Sequence, residues 1–68
     1  MKISARNQLK GIVETIDLGV VTAKVGVRVG ENLIESVITR QSVEELDIKV
    51  GGTVTAVIKS TEVMLMVE

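Results

Sequence analysis

Val21, Ala23, Val25, Val27 and Val29 alternate without a break against Thr22, Lys24, Gly26 and Arg28, and an apolar period of two fits a half-buried β-strand, not a helix. The flanking segments extend this reading. Leu9 to Leu18 is apolar at Leu9, Ile12, Val13, Ile16 and Leu18, a less regular strand that Gly11 interrupts as a bend or bulge would. Asp17-Leu18-Gly19 supplies the first turn and Gly30-Glu31-Asn32 the second. Leu33 to Thr39 carries Ile34 and Ile38 on one face and Leu33 and Val37 on the other, so both faces are expected to be covered. Ser42-Val43-Glu44-Glu45 fits a capping box with Ser42 as N-cap, Glu45 reaching back, and Val43 and Leu46 as anchors, which predicts one short helix starting there. Gly51-Gly52 then turns the chain into Thr53 to Lys59, with Val54, Ala56 and Ile58 inward. Beyond Ser60-Thr61-Glu62, the run Val63 to Val67 reads as a last strand apolar on both faces, which must meet a second layer or a neighbouring subunit.

Five strands with one short helix between strands 3 and 4 predict an all-β fold, a five-stranded OB-like Greek-key barrel. An SH3-like small barrel is the second choice. A parallel α/β sheet is excluded, because each parallel connection needs its own crossover and only one helix is available. The chain is 46% apolar with no aromatic and no proline, and its Val and Ile suit pleated sheet. Residues 1–68 form a single domain of a size that buries only ~60% of its unfolded surface. With no Cys for disulfides and neither Cys nor His for a structural transition metal, burial against other copies is the remaining reinforcement, and a homo-oligomer is expected.

Charge and composition exclude several functions. Eight basic and nine acidic residues are interspersed to a net charge of −1, so no field steers the chain to nucleic acid or an anionic membrane. The nucleic-acid use of an OB barrel relies on stacking aromatics, and there is no Phe, Trp or Tyr. Metal catalysis would need His, Cys or converging carboxylates, whereas Glu44 and Glu45 are adjacent on a helix and point apart; no metal site, cofactor or enzymatic role is expected. Met1, Met64 and Met66 read as core and interface filler. The start Met1-Lys2-Ile3-Ser4 lacks the apolar core of a signal peptide, no apolar run approaches a membrane span, and a cytoplasmic location is expected.

What remains is one dense set of hydrogen-bond donors, Ser4-Ala5-Arg6-Asn7-Gln8-Leu9-Lys10-Gly11, with Lys59-Ser60-Thr61 downstream. Hydroxyls, backbone N–H groups and one or two fixed cations are what holds a small tetrahedral oxyanion. The octet resembles the signature of the molybdate-binding Mop or TOBE domain family, whose single-domain members are the molbindins. The likeness continues through Thr39-Arg40-Gln41-Ser42-Val43-Glu44-Glu45-Leu46 and through the closing stretch Val54 to Leu65. Two departures accompany it. Asp47 to Gly52 stands where the family more commonly has Gly and Pro, and Glu62 where it often has a small polar residue. A carboxylate there would weaken anion binding if turned toward Lys59.

The resemblance implies binding of molybdate or tungstate for storage and homeostasis, in a hexamer arranged as a trimer of dimers with anions held between subunits. Position by position it implies contacts from Ser4 and Arg6, from Thr39 and Ser42, and from Lys59 and Ser60, the Thr39 and Ser42 group coming from a different subunit and Arg6 acting mainly through its backbone. Asn7 and Lys10 match further letters of the motif. Physical chemistry assigns Lys59 the main positive charge as a compact three-donor ammonium, and Ser42 a hydroxyl that can cap the helix and still donate. It also gives the amides of Val43 and Glu44 the positive end of the helix dipole. The competing reading is an oligomerisation or regulatory module without ligand storage, as in molybdate-responsive regulators.

Overall fold

The computed structural model describes residues 2–68; the interface role read for Met1 lies outside the described residues. β1 (Asn7–Leu18) is long because it serves two partners. Asn7 to Ile12 pair antiparallel with β4 (Thr53–Ile58), and Ile12 to Leu18 pair with β2 (Thr22–Val29). β2 in turn pairs with β3 (Asn32–Thr39), which gives the sheet order β3-β2-β1-β4, with α1 (Arg40–Glu45) between β3 and β4 in sequence. All neighbouring strands are antiparallel.

A strand that changes partner halfway along must coil, and a register shift between Val13 and Thr15 provides the bend by leaving Glu14 unpaired. The sequence placed that irregularity at Gly11, and the structure corrects it. Gly11 stays in register opposite Val54 and is buried beneath β2, where an added Cβ would lie 2.5 Å from the Arg28 carbonyl oxygen. Its missing side chain permits a close approach of two strands instead of a kink. Beside the bulge, the Arg28 Nε donates to Glu14 Oε2 at 2.6 Å, and this hydrogen bond holds the Glu14 carboxyl below the usual carboxylate range. Both groups are exposed, so the pair adds little stability.

The alternation in β2 points Ala23, Val25 and Val27 inward, and together with Val13 and Val43 they are the buried core, Val13 being 1% exposed. Ile16, Val29, Ile38, Ile48 and Val54 pack around them. α1 closes with a Schellman motif: Ile48 N donates to Val43 O at 3.0 Å and Asp47 N to Glu44 O at 3.1 Å, with Asp47 in the left-handed region at φ 53°.

Three expectations change. First, α1 begins at Arg40, with Thr39 as its N-cap, its hydroxyl accepting from the Ser42 amide at 3.0 Å. Ser42 therefore sits at the third helical position, and Glu45 accepts from Gln41 Nε2 instead of reaching back. The cause is tertiary: Thr39 pairs with Thr22 at the end of β3 and Arg40 N donates to Val21 O at 2.8 Å, so the strand's end fixes where the helix starts. Second, among the described residues four strands form within one chain, not five. β4 is followed by a single 3₁₀ turn, η1 (Ser60–Glu62), and Val63 to Val67 has no ladder partner. Third, the outer face of β3 is open, with Val37 68% exposed and Leu33 exposed as well. Among the described residues no helix is long and apolar enough to cross a membrane.

Candidate functional site

The donors gather at two ends of the barrel. At one end the register Asn7 opposite Ile58 brings the segment Ser4 to Arg6 beside Lys59 and Ser60. Asn7 Nδ2 donates to Ile58 O at 3.3 Å and Gln8 Nε2 to Ala5 O at 2.9 Å, two bonds that tie the opening segment to β4 and to itself. Lys59 is the N-cap residue of η1, its carbonyl accepting from Glu62 N at 2.9 Å, which fixes the backbone from which the ammonium projects. Ser4, Arg6, Lys59 and Ser60 are all exposed. Among the described residues, no ion pair engages Arg6, Lys10 or Lys59, and Glu62 does not form one with Lys59. Lys10 lies further along β1, opposite Thr55.

At the other end stand Thr39 and Ser42. Thr39 Oγ1 accepts from the Ser42 amide and donates to Ser42 Oγ at 2.8 Å. Ser42 Oγ is then occupied as an acceptor while its own O–H remains free to donate outward, the polarity an oxyanion needs. Val43 contributes differently from the sequence reading. With Arg40 as the first helical residue its amide falls beyond the unsatisfied first turn, and its side chain is in the core. The open first-turn amide is Gln41 instead. Sequence reasoning also passed over Arg40, whose guanidinium lies 3.3 Å from Glu44 Oε1 and donates to Gly19 O at 3.4 Å. The Arg40 cation was part of the matched block, but its turn toward Gly19 depends on a contact across 21 residues of chain.

The two ends are separated by the length of β1. Asn7 pairs with Ile58 at one extreme, and Leu18 pairs with Ala23 beside the Thr22–Thr39 pair at the other. One chain therefore cannot wrap both donor groups around one small ion. A groove of about 400 Å³ lies between β3 and β4, is mostly apolar and is lined by none of the candidate donors.

Thr39 gives this end of the fold a direct test. Thr39→Val keeps the shape and β-branching of the residue but removes the cap, and is expected to lower stability by about 1 kcal/mol. Thr39→Ser should retain most of it. Urea denaturation of the three proteins checks this, and equal midpoints for Thr39→Val and the parent chain would show that the cap does not matter.

Four antiparallel strands coiled by a bulge, one short helix, and donors at both ends define a small OB-like domain. The model of the TOBE domain matches residues 3–65, and the chain belongs to that family. It is 55% identical to "Molybdenum-pterin-binding protein 1" of Clostridium pasteurianum over 67 residues, 97% of this chain and 98% of that protein. Among solved structures it resembles a molybdate-binding protein from Sporomusa ovata with a TM-score of 0.93 at 39% identity, covering 97% of this chain and 98% of that one. It also resembles the cytoplasmic molybdate-binding protein ModG in its molybdate-bound form, with a TM-score of 0.84 at 41% identity, covering 88% of this chain and 43% of ModG.

Proposed function

We propose that this chain is a non-enzymatic molybdate- or tungstate-binding protein that stores and buffers molybdenum as its oxyanion in the cytoplasm. Its sites lie between subunits of a homo-oligomer, a hexamer built as a trimer of dimers. Ser4, Arg6, Lys59 and Ser60 of one copy, with Asn7 and Lys10 beside them, face Thr39 and Ser42 of another, and residues 1–68 act as one domain without nucleic acid, membrane or cofactor. The single observation that carries this reading is the division of uncompensated donors between opposite ends of one barrel. It is supported by relatives described as binding molybdate or molybdenum-pterin. The bare anion suits the chain better than a pterin, whose flat ring would be held by stacking aromatics that the sequence lacks.

A cage made only of donors accepts a full dianion and penalises a protonated phosphate, whose O–H would find no acceptor. Sulfate is rejected by size, since a smaller ion leaves long, weak bonds. Titration calorimetry with the four anions tests this: molybdate and tungstate should bind at least roughly tenfold tighter than sulfate, a difference of about 1.4 kcal/mol. Equal affinities for sulfate and molybdate would refute the size argument. A second reading, an oligomerisation or regulatory OB module with no storage role, is favoured by the wide uncovered apolar surface at Val20, Val37 and the C-terminal run. Equilibrium dialysis against molybdate separates the two, because only the first retains the anion.

A further inference from the structure

We infer that Glu62 sets the affinity and the charge selectivity of the oxyanion site, repelling the ion held at Lys59 so that the chain binds a dianion less tightly than its donors alone would. The inference deepens the oxyanion reading and rests on it. η1 is a single 3₁₀ turn with Lys59 as its N-cap, and the Glu62 amide donates to the Lys59 carbonyl at 2.9 Å. In a 3₁₀ turn side chains three residues apart eclipse, and three residues rise only about 6 Å. The same spacing lets a glutamate at the third helical position reach back to the N-cap in a capping box. Lys59 and Glu62 therefore leave η1 on one side, a turn apart.

Neither group is neutralised. Both residues are exposed, and among the described residues neither enters an ion pair. Other carboxylates are engaged: Glu14 by Arg28, Glu44 by Arg40, Asp47 by Lys49 and Glu45 by Gln41. Glu62 is also isolated by sequence. There is no acidic residue from Met1 to Val13 or from Val50 to Thr61, and the next after Glu62 is Glu68. The opening segment and the end of β4, which meet at this end of the barrel, thus bring donors and cations only. A single carboxylate stands beside them, one turn from the lysine.

The consequence is electrostatic. A unit negative charge about 6–8 Å from a dianion in a water-like medium lowers its affinity roughly 5- to 10-fold, and that of a monoanion only roughly 2- to 3-fold, because the repulsion scales with the ion's charge. Glu62 therefore weakens retention of the ion and narrows the preference for dianions over monoanions. A protein that stores an ion must also give it up, and a fixed like charge at the rim favours release without removing a donor.

Titration calorimetry on the full-length chain tests this with molybdate and with perrhenate, a tetrahedral monoanion of similar size read by its displacement of molybdate. Glu62→Gln keeps the side chain's length and its ability to accept from a backbone amide, so a purely structural role is preserved and only the charge goes. It is expected to tighten molybdate roughly 5- to 10-fold and perrhenate only roughly 2- to 3-fold. Glu62→Asp keeps the charge and should not tighten either ion. Glu31→Gln removes the same charge from the β2–β3 turn and should leave both affinities within about twofold, since exposed charges remote from the ion are screened. Unchanged or weaker molybdate binding in Glu62→Gln would overturn the inference while leaving the oxyanion reading intact, and so would an equal gain for the two ions. A parent chain that bound neither molybdate nor tungstate would overturn both.

Discussion

Lys59→Ala is expected to remove most of the molybdate affinity while leaving the fold intact. The side chain is exposed at the entrance of η1, its backbone is held by the Glu62 N bond that alanine keeps, and no ion pair among the described residues depends on it. The ammonium thus contributes little to folding and much to a dianion placed beside it. A hydrogen bond to a charged group is worth about 1.5–3 kcal/mol, which corresponds to a loss of roughly 10- to 150-fold in affinity per site. Calorimetry with molybdate, alongside circular dichroism to verify the fold, gives the answer. Lys59→Arg should recover part of the binding, because the charge returns but a planar fork replaces a compact three-donor head. Parent-level affinity in Lys59→Ala would take Lys59 out of the site.

The largest effect on stability is expected from Gly11→Val. A Cβ at Gly11 would stand 2.5 Å from Arg28 O, 2.8 Å from Val27 Cγ1 and 2.9 Å from Val29 Cγ2. The first of these is the backbone of Arg28 near the end of β2, so the clash is relieved only by separating β1 from β2 there. Such strain costs above ~4 kcal/mol. For a chain of 68 residues, a total stability of about 3–10 kcal/mol leaves little margin, and Gly11→Val should be largely unfolded at room temperature. Gly30→Ala is the control. Gly30 has a positive φ of 60° but open space around it, so alanine there should cost only about 1 kcal/mol. Urea midpoints measure both, and a parent-like midpoint for Gly11→Val would show that the two strands can part without loss.

Gly11 also shows how far the sequence could be read. A glycine interrupting an apolar strand signals either a bulge or a close approach, and nothing local distinguishes them. The register does, by placing the extra residue at Glu14 and a second strand against Gly11. α1 is similar. Thr39 and Ser42 are both competent caps, and the local Ser-x-x-Glu pattern favoured Ser42. The Arg40 N to Val21 O bond, made across the sheet, moved the start three residues earlier. The donors were legible as a set because their chemistry is carried by residue type. Their division between two ends was implied only by likeness to a family until the register fixed it.

The residues alone determined the strand content, because an apolar period of two and a wealth of β-branched side chains leave little else for β2, β3 and β4 to become. They also determined the chemistry on offer, hydroxyls and cations without aromatics, His or Cys. Tertiary structure decided where β1 bends, which hydroxyl caps α1 and which donors share an end, since each depends on a hydrogen bond or contact between residues far apart in the chain. It also decided that Val63 to Val67 forms no strand within one copy. A strand exists only when its backbone groups find a second edge, and no local sequence pattern supplies that edge.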